Sequence, residues 1–367
     1  MKKVIATLLA LVLCLSLAGC KNEEDYSTNL ITGYKSGDVT LGQYTGLTYV
    51  PMSTDVSEEE VQEKLDEYLF SYKSKVEVTD RDTVQDGDLV VIDFEGYKDG
   101  ELVEGLTGSK NESSPLRIGS GTFFAGFEEA LIGHSKGEFN IEVTFPENSD
   151  NEDLAGKPIQ FKITLNKIYE YDIPEATDEF IAEKTTNKYT TVEAYKDNIR
   201  SQIKSEKEEE ALLQKQDDIA KKLIENCTYN IDMEAEIQRG YQSLRDYNDK
   251  MTMGTYGMDA AGFYYTYYGL PTDQYEEMLR SQAEFSVRYE YARCAVAEAE
   301  RFVITDEDIE ELAKKQMEQY AYGSLDAYYE KIEELNGIKG PDYVKELVKL
   351  NKAAELIFDT AIPVDSE

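Results

Sequence analysis

The rhythm of apolar and polar positions changes several times along the chain. Behind Lys2 and Lys3 runs an almost wholly apolar stretch that stops at Leu17-Ala18-Gly19-Cys20. Residues 21–40 are polar and without period, which predicts a tether rather than a packed element. LTYV at 47–50 is patterned as a short strand. From Ser57 to Lys73 the period becomes helical, with Val61, Leu65, Tyr68, Leu69 and Tyr72 on one face and Ser57/Glu60 placed as a capping box. From Asp86 to Tyr171 apolar residues alternate. DLVVIDFEGY, EFNIEVTF and IQFKITLNKI read as strands, Lys98-Asp99-Gly100 as a hairpin turn, and GTFFAGFEEALIG as one short amphipathic helix. From Pro174 onward the pattern is helical almost throughout, near 191–227, 231–250, 271–303, 305–321, 324–335 and 341–359. Thr305-Asp306-Glu307-Asp308 supplies N-terminal capping chemistry for one of these helices. Heptads do not persist, so the helices read as arms or hairpins rather than one long coiled coil. The fold class is α+β: an antiparallel sheet wrapped around a short helix, followed by an extended all-helical region.

The opening stretch is a secretory leader, too short and wrongly flanked for a comfortable spanning helix. Its end resembles a bacterial lipoprotein cleavage box. That resemblance implies removal of residues 1–19, lipidation of Cys20 and a place on the extracytoplasmic face of the cell membrane. The chain divides accordingly into a leader at 1–19, a lipid-anchored tether at 20–40, a leading strand and helix at 41–81 that pack with the helical region, a sheet domain at 82–172 and helical arms at 173–367.

Composition narrows the chemistry. With 74 acidic against 38 basic side chains the formal net charge is −36, which excludes non-specific nucleic-acid binding and disfavours ribosomal RNA or anionic lipid headgroups as partners. Losing Lys2 and Lys3 with the leader makes the chain more acidic still. His134 is the single histidine, which argues against a histidine-built zinc site or a Ser-His-Asp triad, and its Gly-His-Ser context reads as a turn. Asp150, Glu152 and Asp153 lack the spacing and glycine of a calcium loop. No metal or other cofactor is called for. Cys227 and Cys294 either pair in a disulfide-permissive compartment or remain as two buried helix thiols.

The middle of the chain carries the sharpest motif. VQDGDLVVIDFEGYKDGELVEG, IGSGTFFAGFEEALIGHSKGE, VTFPE and QFKITLNKI occur in an order that resembles FKBP-type peptidyl-prolyl isomerases, and most closely the isomerase domain of the trigger factor family. VTLGQYTGLTYV and its following helix are similar to the segment leading into that domain. The C-terminal helices resemble the family's substrate-cradling arms. A leader and tether stand where the family has its ribosome-binding module.

The resemblance implies an apolar pocket for a proline ring, with Phe94, Phe127, Phe161 and Glu104 as catalytic positions. It places Val103, Phe123 and Phe124 on the substrate-facing wall. Phe127 falls at the floor aromatic, Glu104 at an acidic position on the rim, and the Phe123 or Phe124 N–H at the helix start as a donor to a substrate carbonyl. The alternative for each phenylalanine is plain core packing. Val103 stands where an aromatic is commoner, and the loop after Pro146 lacks the aromatic that many members place over the site.

A second stretch, MTMGTYGMDAAGFYYTYYGLP at 251–271, packs methionines and aromatics between glycines. Tyr264, Tyr265, Tyr267 and Tyr268 there suit promiscuous contact with unfolded chains, or else fill a joint between arms.

The leading reading is an extracytoplasmic isomerase and chaperone for unfolded or proline-containing exported polypeptides, bound to the membrane through Cys20 and independent of ribosome and nucleic acid. The alternative is a catalytically weak holdase or adaptor whose FKBP domain only binds peptides. A solute-binding lipoprotein is a third reading, which the helical arms oppose because they do not form paired α/β lobes.

Overall fold

The computed structural model describes residues 33–147 and 153–365. The leader, Cys20, residues 20–32 of the expected tether, and Asp150 and Glu152 of the 148–152 loop lie outside the described residues. In chain order the elements are β1 (Val39–Thr40), β2 (Thr48–Tyr49), α1 (Glu58–Phe70), β3 (Ser74–Glu77), β4 (Leu89–Lys98), β5 (Glu101–Lys110) and β6 (Leu116–Arg117). Then follow α2 (Phe127–Leu131), β7 (Gly137–Thr144), β8 (Pro158–Asp172), α3 (Asp178–Lys184), α4 (Val192–Asn226) and β9 (Thr228–Tyr229). The last elements are α5 (Glu234–Tyr256), α6 (Ala260–Tyr268), α7 (Thr272–Glu300), α8 (Asp306–Gln319), α9 (Leu325–Asn336), α10 (Gly340–Asp359) and β10 (Ile362–Pro363). They fall into two units, one of residues Val56–Ile203 and one built from the chain on either side of it.

The Val56–Ile203 unit is an antiparallel sheet of order β3-β8-β4-β5, with β6 on β4 and β7 on β8. The β4–β5 hairpin closes through Asp99 and Gly100, both at positive φ, the backbone a two-residue primed turn requires. Along β8 every second residue faces inward: Ile159, Phe161, Ile163 and Leu165 are buried. They meet Ile92 of β4, Ile141 and Val143 of β7, and Phe127 and Leu131 of α2. A smaller core in this unit joins Val61, Leu65 and Leu69 of α1 to Ile181 of α3 and to Ile199 and Ile203 at the start of α4. The Ser57/Glu60 capping box forms as the sequence predicts.

The second unit is built on α7. Tyr289, Ala292 and Val296 pack against Ile219 and Leu223 of α4 and Ala353 and Ile357 of α10, while Val287 meets Ile237 of α5. α8, α9 and α10 share a further core through Ala313, Tyr328, Ile332, Val344 and Val348. Residues 33–49 are a strap on this unit. β1 pairs antiparallel with β9, β2 pairs parallel with β10, and Val39 and Leu47 are buried. The Tyr34 hydroxyl donates to Glu298 at 2.6 Å and the Tyr44 hydroxyl to Glu300 at 2.8 Å.

The structure moves one expected boundary. Residues 33–40, expected in the tether, already lie on the helical unit, because Val39 has a core to enter. Both parts of the 41–81 segment pack on helices of 173–367: Leu47 on α4, α7 and α10, and α1 on α3 and the start of α4, which fall within the compact Val56–Ile203 unit. The sheet ends with β8 at Asp172, while the compact unit extends further, to Ile203 within α4. Helices α3 and α6 appear where the sequence reading placed none. Cys227 and Cys294 are both free thiols; Cys227 lies just past the end of α4 and Cys294 within α7. Burial pushes them up to about 11 and about 12 respectively, which keeps them protonated and unreactive.

Candidate active site

The pocket is assembled from four pieces of the sheet unit. β4 presents Phe94, β8 presents Phe161, β5 presents Val103, and the turn leading into α2 presents Phe123 and Phe124 beside Phe127. The expected single helix over GTFFAGFEEALIG is only the five residues Phe127–Leu131. Gly126, at φ 89°, forces a left-handed step just before it, so Phe123 and Phe124 sit on a turn rather than on a helix face. Gly96 on β4 serves the same site by absence: a Cβ there would stand 2.9 Å from Cε1 of Phe161.

The rings form one cluster. Phe123 stacks on Phe127 with centroids 4.6 Å apart and planes 17° apart. Phe94 meets Phe123 edge-on at 5.3 Å and Phe127 at 5.9 Å. Phe124 leans on Phe127 at 5.4 Å and on Phe161 at 5.5 Å, and Phe161 meets Phe127 edge-on at 5.1 Å. Each contact falls in the range where aromatic pairs attract beyond simple burial. Phe127 and Phe161 are both 0% exposed, while Phe94, Phe123, Phe124 and Val103 are half-buried. The structure thus brings together all the apolar residues expected here. Phe127 and Phe161 lie deepest, beneath Phe123 and Phe124. Glu104 is solvent-exposed on β5.

Two residues of the site escaped the sequence reading. Phe145, just past β7, packs its ring 4.4 Å from that of Phe124. The signal for it was the alternation of EFNIEVTF, which puts Phe145 on the same face as Ile141 and Val143. Glu128 on α2 is buried. Its Oε1 accepts from the N–H of Thr122 at 2.9 Å, from that of Phe123 at 3.1 Å and from the Ser120 hydroxyl at 3.1 Å; its Oε2 accepts from the N–H of Gly121 at 3.0 Å. The Phe123 N–H is therefore engaged within the chain, which removes it as a donor to substrate. Among the described residues the Phe124 N–H has no such partner. His134 stacks on Phe139 at 4.1 Å, consistent with a packed turn.

Rotation about an X-Pro bond faces a barrier of roughly 18–20 kcal/mol set by amide resonance. Lowering it needs no nucleophile and no metal. A concave apolar wall that takes the ring and strips water from the amide carbonyl weakens the polar resonance form, and a few backbone donors orient the chain. The Phe cluster, with a Phe124 N–H that has no partner among the described residues, is suited to this.

The helical unit carries the other expected contact residues at α6. Tyr265, Tyr267 and Tyr268 are 63%, 58% and 54% exposed, and Met253 and Tyr256 nearby are also exposed. Tyr264 departs from this group. It turns inward and stacks on buried Tyr275 at 5.1 Å, so its role is in the core of the hairpin.

An antiparallel sheet curled round a short helix, with a cluster of phenylalanines packed on that helix, is the arrangement expected of an FKBP-type peptidyl-prolyl isomerase domain. Family models and sequence relatives agree. A family model described as FKBP-type peptidyl-prolyl cis-trans isomerase matches residues 80–166, and one described as the bacterial trigger factor protein (TF) C-terminus matches residues 191–359. The trigger factor of Anoxybacillus flavithermus is 35% identical over 325 residues, covering 88% of this chain and 72% of the relative. That of Agathobacter rectalis is 33% identical over 324 residues, covering 88% and 70%. A solved chain described as "Promiscuous Substrate Recognition in Folding and Assembly Activities of the Trigger Factor Chaperone" shares 17% identity at a TM-score of 0.39, over 88% of this chain and 72% of that one. The chain belongs to the trigger factor family, and it is a peptidyl-prolyl isomerase of the protein-folding machinery.

Proposed function

We propose that this family member works outside the cytoplasm as a lipid-anchored foldase for exported proteins. The observation that carries the reading is the presence, in one sequence, of a leader ending in Leu17-Ala18-Gly19-Cys20 and of the aromatic isomerase pocket. Among the described residues no helix is long and apolar enough to cross a membrane, so in this reading attachment rests on lipid at Cys20. The clients are unfolded or proline-containing chains, held at the exposed tyrosines of α6 and isomerised at the Phe cluster. Neither ribosome nor nucleic acid takes part, in keeping with a net charge of −36.

The test is fractionation of cells producing the chain or its Cys20→Ser variant, with a labelled fatty acid supplied. Label and membrane recovery in the parent, both lost in Cys20→Ser, are expected. Unlabelled parent protein in the cytoplasm, co-sedimenting with ribosomes, would sink the proposal.

A second reading, a catalytically weak holdase, draws support from Val103 and from the complete burial of Phe127 and Phe161. It predicts that the chain suppresses client aggregation while turning over short X-Pro peptides no faster than Phe127→Ala does.

A further inference from the structure

The floor ring of the pocket is covered by a residue of its own loop. Phe123 lies parallel on Phe127 at 4.6 Å, and Phe94, Phe124 and Phe161 close the remaining sides, leaving Phe127 0% exposed. In this arrangement no proline ring can reach the face of Phe127. Phe123 itself is half-buried, with the Nζ of Lys110 5.6 Å from its ring centroid. Its backbone is fixed, since the N–H donates to Glu128, but it stands outside α2 on the turn before Gly126. A change of side-chain rotamer can therefore lift the ring without unfolding the turn.

We propose that Phe123 is a gate and a specificity-determining residue of the isomerase site: its ring occupies the place above Phe127 that a substrate proline takes, and it must swing away before the proline can bind. The inference rests on the isomerase reading of this pocket. A site that is closed most of the time binds with an apparent affinity reduced by the fraction that is open. One aromatic stack of this kind corresponds to a factor of about three to ten in that equilibrium. The gate thus acts on KM. It penalises short peptides, which bring little besides the proline itself, more than long chains that add contacts outside the pocket.

The experiment is a protease-free isomerisation assay on a short X-Pro peptide with the full chain, Phe123→Ala, Phe123→Leu and Phe127→Ala, each checked for folding by circular dichroism. Phe123→Ala is expected to lower KM about three- to tenfold with kcat changed far less, Phe123→Leu to lie between it and the parent, and Phe127→Ala to be inactive. A raised or unchanged KM in Phe123→Ala, with Phe127→Ala inactive, overturns the gate alone. Equal turnover in the parent and Phe127→Ala overturns the isomerase reading of the pocket and the gate with it. Should Phe123→Ala fail to fold, 4-fluorophenylalanine at position 123 of the otherwise unchanged chain gives the answer. Its ring-shielded fluorine signal is expected to move on saturation with the peptide, and a signal that stays in place refutes the gate.

Discussion

Glu128 shows how much one side chain can decide at the residue scale. Burial alone would raise its pKa, but the N–H groups of Phe123 and Gly121 and the Ser120 contacts outweigh burial and hold it below the ordinary carboxylate value. A group whose folded pKa is depressed stabilises the fold above its unfolded pKa, and that stabilisation is lost as pH falls through the folded value. Glu128→Gln keeps one acceptor but turns an amide N–H2 toward backbone donors. It is expected to cost about 1.5–3 kcal/mol at neutral pH, the range for hydrogen bonds to a charged group. The gap to the parent should close as the pH falls below about 4. Denaturant unfolding at several pH values measures this, and a gap independent of pH would show that charge is not what holds the turn. The sequence made five of the six phenylalanines of the site legible through their place in a spaced motif, and missed Phe145. It hid Glu128, because the value of that carboxylate depends on three N–H groups converging, and no local period records a convergence.

At the scale of the element, α6 separates what composition reveals from what geometry decides. Crowded aromatics between glycines announced a special segment. Nothing in their spacing distinguished Tyr264, stacked on Tyr275, from Tyr265, Tyr267 and Tyr268, which face solvent. The left-handed caps at Gly257 and Gly269 delimit a separate nine-residue helix, which the run of apolar residues disguised. The same blindness made one helix of GTFFAGFEEALIG, where Gly126 interrupts it. Two variants of the hairpin should diverge. Tyr264→Ala is expected to lower stability by about 1–3 kcal/mol, as loss of a partly buried aromatic does. Replacing Tyr265, Tyr267 and Tyr268 together by Ser should change stability by no more than about 0.5 kcal/mol per site, while impairing suppression of aggregation of an unfolded client. Intact suppression in the triple variant would move client contact away from α6.

At the scale of the whole molecule, the sequence reading cut the chain into consecutive blocks, whereas the helical unit is discontinuous. Its strap, residues 33–49, arrives before the sheet unit begins and is held by strands formed after it ends: β1 on β9 and β2 on β10. Such pairings join positions far apart in sequence, and two-residue strands carry no period long enough to read, so this part of the architecture was illegible. The long helices and the strands β4, β7 and β8 were legible because each sustains its own period over many residues. The strap has an energetic consequence. Leu47 is buried among Ile219, Leu223, Val296 and Ile357, so it is a core residue of a unit that breaks off after Asp55 and resumes at Lys204. Leu47→Ala is therefore expected to destabilise the helical unit by about 2–5 kcal/mol through the cavity it leaves. The sheet unit has cores of its own that do not include Leu47 and should be unaffected. Scanning calorimetry of the full chain would show one transition falling by several degrees, about 2–4 °C per kcal/mol for a unit of this size, and the other staying in place. Isomerase turnover on a short peptide should remain at the parent level at temperatures below both transitions. A shift of both transitions together would mean that the two units unfold as one, and that the strap belongs to a single cooperative structure rather than to the helical unit.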